Sequence, residues 1–106
     1  MNTREILIGA RKLIEKPENW TQGAKSRDIN GKPSVFGYKA SAVCWCMLGA
    51  MEMTGKSLFA NNKAQQVIEL VINMNSIIRW NDSPDRTHAE VLAALDRKST
   101  RLNSSH

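Results

Sequence analysis

Apolar residues recur at helical spacing through most of this chain and give way to short, turn-broken runs in one region. Thr3 is placed to cap a first helix, with Ile6, Leu7, Ala10, Leu13 and Ile14 on one face and Arg4, Glu5, Arg11, Lys12 and Glu15 largely opposite. Lys16-Pro17 ends it. Residues 17–38 contain Pro17, Pro33, Gly23, Gly31 and Gly37 and cannot continue as one helix. Residues 24–29 and 32–36 read instead as two short strands joined through Asn30-Gly31, a pair that accepts the positive φ of a tight hairpin turn. A two-stranded hairpin is marginal alone, so it should lie on the helices.

Residues 41–54 are apolar nearly all round, which predicts a central second helix, with Gly49 and Ala50 allowing a close neighbour and Gly55 as its C-terminal stop. Asn61 or Asn62 can cap a third helix whose Ala64, Val67, Ile68, Leu70, Val71, Met74, Ile77 and Ile78 continue to Arg79. Asn73 and Asn75-Ser76 break it, leaving a short helix that runs into Trp80. Pro84 stops that helix. Thr87 with Glu90 three residues later is a capping-box pattern that opens a last helix from His88, with Val91, Leu92 and Leu95 on its apolar side. The expectation is a mainly α (α+β) fold: four to five helices with one small β-hairpin in a single compact domain over residues 1–95.

Length supports this. A chain of 106 residues buries roughly 60–70% of its unfolded surface, enough for one core. The apolar runs fall far short of the roughly 20 residues that cross a bilayer, so no membrane span is expected. Cys44 and Cys46 are too close in sequence to bridge easily, and no leader pattern is visible, which together point to the cytoplasm. The net charge is +5. Residues 96–106 resemble the translation of a sequencing adapter and are read as a non-native tail, extending the last helix or disordered. Arg97, Lys98 and Arg101 belong to that tail, so part of the basic excess does too. With no basic helix or aromatic sheet face, nucleic acid is disfavoured as a partner.

The densest polar chemistry lies in Trp80-Asn81-Asp82-Ser83-Pro84-Asp85-Arg86-Thr87-His88. Three tryptophans, Trp20, Trp45 and Trp80, can form an aromatic wall, and Arg86 beside the start of the last helix, or Arg27, can hold an anion. The competing reading is that all three indoles are core. Cys44, in the first turn of the expected second helix, can act as a thiolate nucleophile with His88 as base and Asp82 or Asn81 as its orienter. Against this, cysteines on apolar helices are ordinary small hydrophobes. Asp82, Asp85 and Glu90 supply carboxylates for acid/base work, although Glu90 is expected to be occupied as a cap. A metal is not expected, because cysteines two apart on a helix point about 200° from one another. No Gly-rich phosphate loop occurs.

Trp20-Thr21-Gln22-Gly23 with Arg27-Asp28, Cys44-Trp45-Cys46 with Leu48-Gly49-Ala50, and Trp80-Asn81-Asp82 with Arg86-Thr87-His88-Ala89-Glu90-Val91-Leu92 together resemble a family of small domains of unknown function from phages and bacteria. The resemblance covers nearly all of residues 6–95. It implies that the three segments belong together in space, and names no reaction, cofactor or partner. The resulting expectation is a non-enzymatic, phage- or prophage-type cytoplasmic binding protein, acting as an anti-defence factor and forming a homo-oligomer. Its ligand would be small, anionic and nucleotide-like, a host immune signal, held by Trp20, Gln22, Arg27, Trp80, Asn81, Asp82, Arg86, Thr87 and His88 without a cofactor. The alternatives are an inhibitor directed at a host defence protein and an enzyme using Cys44, His88 and Asp82.

Overall fold

The computed structural model describes residues 2–57 and 61–104; Ser105 and His106, the end of the tail set apart above, lie outside them. Among the described residues there are five α-helices and a small three-stranded sheet: α1 (Thr3–Leu13), β1 (Ser26–Arg27), β2 (Pro33–Ser34), β3 (Cys44–Trp45), α2 (Met47–Gly55), α3 (Asn62–Ile72), α4 (Ile77–Asn81) and α5 (His88–Ser104). A single 3-10 turn, Pro17–Asn19, follows α1. The mainly α fold with a small β element is as the periodicity predicts. No described helix is long and apolar enough to cross a membrane.

The core is built where α1 meets α2, α5 and α3. Ile6, Leu7 and Ala10 of α1 and Ile14 just beyond it are buried with Met47, Ala50 and Met51 of α2, Ile68 of α3, and Val91 and Leu95 of α5. The first helix starts one residue earlier than expected. Asn2, rather than Thr3, is the cap: its Oδ1 accepts from Glu5 N (2.8 Å) while its own N–H donates to the Glu5 carboxylate (3.0 Å). An amide at that position satisfies one orphan donor and the glutamate the other.

Residues 41–46 are not helical, which corrects the expected start of the second helix. Cys44–Trp45 forms β3, an edge strand antiparallel to β1, so the sheet order is β2-β1-β3 with Ser26 facing both Ser34 and Trp45. Short apolar runs suit a buried strand as well as a helix, and periodicity cannot separate the two. The helix begins only at Met47, capped by Cys46, whose sulfur accepts the Gly49 N–H at 3.3 Å. From Met47 to Glu52 every residue is buried, so α2 is as central as its composition predicts.

Two turns also differ in detail. In the hairpin only Gly31 takes a positive φ (+80°); Asp28 accepts from Gly31 N through its carbonyl, and from Asn30 N and Lys32 N through its side chain. The turn is therefore three residues closed by a left-handed glycine, rather than a two-residue Asn-Gly turn. At the end of α2 the left-handed residue is Lys56 (φ 54°), not Gly55, with Ser57 N–H donating to Glu52 O. Asn73 (φ 56°) closes α3 and Ser76 caps α4, as the asparagine-serine break predicts.

Close packing of backbones seats the sheet on α2. A side chain on Gly49 would run into the backbone of Lys25, and one on Gly37 into the backbone of Gly49. The same contact carries an ion pair: Glu52, almost fully buried on α2, bonds Lys25 Nζ at 2.6 Å with one oxygen and the Gly37 N–H at 2.9 Å with the other. The hairpin and the loop behind it are thus tied to the central helix.

Candidate functional site

Asn81, the last residue of α4, has no exposed surface and is the point where three distant segments meet. Its Oδ1 accepts from the Trp20 indole N–H (2.7 Å) and from Met47 N at the start of α2 (3.1 Å). Its Nδ2 donates to Thr21 O (3.1 Å) and to Asp82 Oδ1 (2.9 Å). An amide offers two donors and two acceptor sites, so this side chain is saturated. Gln22 adds a second strap, its Nε2 donating to Asn81 O and Ser83 O at 2.8 and 2.9 Å, and Gly23 N donates to Asp82 Oδ1 at 3.1 Å.

The other residues singled out from the sequence cluster around this knot with their polar groups also engaged. Arg27 donates to Thr21 Oγ1, Gly31 O and Gln22 O. Arg86 lies over the Trp80 ring at 3.8 Å and donates to Trp80 O at 2.9 Å. Thr87 and Glu90 form the expected capping box, in which the Thr87 N–H and then the Arg86 guanidinium hold the Glu90 carboxyl below the usual carboxylate range. His88 Nε2 sits 2.6 Å from the carbonyl of Ile14, with the ring beside Trp20. A carbonyl can only accept, so Nε2 carries the proton there.

Convergence is therefore as expected, but into a closed network. Trp80 lines a small hollow of about 250 Å³ with Val71, Ile72, Glu90, Ala93 and Ala94, and Trp20 is not on its wall. The nucleophile arrangement is not assembled either. Cys44 pairs with Arg27 across the sheet instead of opening a helix, and among the described residues no hydrogen bond joins it to His88 or joins His88 to Asp82. It is Cys46 that caps α2, and burial pushes its thiol up to about 11 despite the Gly49 N–H. A thiol in that state is a poor nucleophile. Among the described residues no group of three or more His, Cys, Asp or Glu is placed to hold a metal ion.

A second opening lies beside the knot, between the hairpin and α4. It is a cleft of about 440 Å³ lined by Gly23, Ala24 and Lys25, by Pro33, Ser34 and Val35, by Cys46, and by Ile78 and Asp82. That volume falls in the range of small-molecule sites. Of the residues expected to bind a ligand, only Asp82 is on its wall.

A family model described as a family of unknown function, DUF6197, matches residues 1–101. The chain belongs to this family. No curated protein and no solved structure matches it. DUF6197 membership assigns no chemistry, so what this DUF6197 chain can do rests on its own geometry. The match runs past Asp96, where α5 also continues and where the Asp96 carboxylate pairs with Arg11 at 2.6 Å. The wall residues Lys25, Val35 and Ile78 were not flagged by the sequence.

Proposed function

We propose that this protein is a non-enzymatic binding protein whose target is another protein, docked on the hairpin face. The observation that carries the reading is a run of bare apolar side chains within residues 29–43: Ile29 and Val35 are 81% and 72% exposed, and Phe36, Tyr38 and Val43 are exposed too. Large apolar groups exposed together mark interaction surfaces. The backbone under them is held, since Phe36 O accepts from Ser26 Oγ (2.7 Å), and Gly37 is bonded both to Glu52 and to the Trp45 indole. A pre-ordered face loses little entropy on binding. Lys32 and Lys39, both exposed, flank it, so the fitting partner has an apolar centre and an acidic rim. An inhibitor that covers a host defence protein is the setting this chemistry suits.

Capture of a small anionic, nucleotide-like molecule is supported less well, because Arg27 and Arg86 already spend their guanidinium groups inside the protein. Native mass spectrometry of protein purified from a bacterial host tests the two readings together. The expected result is a second protein of one defined mass on the wild type, lost in a folded Val35→Glu/Phe36→Glu variant. A bare monomer, a dimer of this chain, or a small added mass that the variant retains would each overturn the reading, the last in favour of the small ligand.

A further inference from the structure

We propose that the cleft between the hairpin and α4 is a binding site for a small organic cation, an ammonium or guanidinium on an apolar stem, with Asp82 as its counter-ion. Two charged residues line the cleft, Lys25 and Asp82. Lys25 is neutralised by the buried Glu52 at 2.6 Å. Asp82 forms no ion pair among the described residues; its Oδ1 is fixed by Gly23 N and Asn81 Nδ2, and Oδ2 has no hydrogen-bond partner there. One carboxylate oxygen is thus held rigid by the knot while the other is left for a ligand.

The rest of the wall suits the stem. Ile78 lies one helical turn before Asp82, the residue that closes α4, with Asp82 N donating to Ile78 O at 2.9 Å, so the apolar wall and the carboxylate lie one turn apart at that end of the helix. Pro33 and Val35 of the hairpin and the neutral Cys46 complete the apolar part of the lining. A fixed carboxylate beside apolar walls favours a cation, whose charge-assisted hydrogen bond gains strength where water is partly excluded. An anion would meet Asp82 with no free cation to offset it. Val35 also belongs to the exposed face, but free small molecules test the cleft whether or not a protein docks there.

The test is amide-resolved NMR titration of the full chain with n-butylguanidinium, n-pentanol and pentanoate. The expected result is saturable shifts at Gly23, Val35 and Ile78 with the guanidinium, about tenfold tighter than with pentanol, and none with pentanoate. Asp82→Asn, with the Trp20 indole resonance showing the knot intact, is expected to remove that preference. Should Asp82→Asn unfold the knot, Ile78→Trp, which fills the cleft and leaves the carboxylate alone, is expected to abolish binding. Equal response to all three probes, preference for pentanoate, or undiminished guanidinium binding in a folded variant would overturn the proposal.

Discussion

The amide of Asn81 does for three loops what a cross-link would do, and its removal shows how much rests on one side chain. In Asn81→Ala the Trp20 indole N–H and the Met47 N–H lose an acceptor that is itself fully buried. A buried donor left unpaired costs about 1–3 kcal/mol, so two of them place the expected loss at about 2–6 kcal/mol, read as a lower midpoint in urea unfolding. Asn61 is the opposite case. It is equally buried, but neither its Nδ2 nor its Oδ1 has a partner among the described residues, and it makes no side-chain cap on α3. An amide that gains nothing for its desolvation is a cost, and Asn61→Leu is expected to raise stability by about 1–2 kcal/mol in the same assay. Two asparagines of equal burial thus have opposite signs, and the difference is hydrogen bonding alone.

At the level of elements, α2 and the sheet depend on how closely they approach. Gly49→Ala puts a methyl into the Lys25 backbone, which is not the movable end of a side chain, so either the loop or the helix start must shift. Overpacking of this kind costs about 1–3 kcal/mol, and the expected readout is a lower thermal midpoint with altered amide shifts at Lys25 and Gly37. The sequence allowed a close neighbour at Gly49 without saying which one. Helices α1, α3, α4 and α5 were legible because their apolar spacing agrees with polar residues at their starts, although the cap of α1 is Asn2 and Asn61 begins α3 without a side-chain cap. The start of α2 was not, because its cap is a cysteine, outside the Ser/Thr/Asp/Asn set that marks helix starts, and β3 is two residues long. The polar site was half legible. The resemblance carried by three motifs implied that the segments holding Trp20, Gln22, Asn81 and Asp82 belong together, but whether such groups meet a ligand or one another depends on distances of a few tenths of an ångström. The cleft was illegible for a different reason: Lys25, Val35 and Ile78 come from three elements whose juxtaposition only tertiary packing decides.

For the molecule as a whole, Cys46 reports on the integrity of the central assembly. Its thiol caps α2, follows β3 directly and lines the inner side of the cleft, so it is exposed only when sheet, helix and knot separate. Burial raises it from the ordinary thiol value of 9.0 to about 11. The sign follows from linkage. Below pH 9 both folded and unfolded chains hold the proton and the contribution is complete; above it the unfolded chain ionises first, and the contribution is lost as pH rises through the folded value. That predicts a fall in unfolding free energy on the order of 2 kcal/mol between pH 9 and 11 attributable to this group. Lysines titrate in the same window, so the measurement is a difference: wild type against Cys46→Ser, whose hydroxyl can still cap Gly49 but does not ionise there. The wild type is expected to lose more stability across that window than the variant. Equal losses would mean that the thiol reaches solvent without unfolding, and the cleft would then extend deeper toward α2 than its walls indicate.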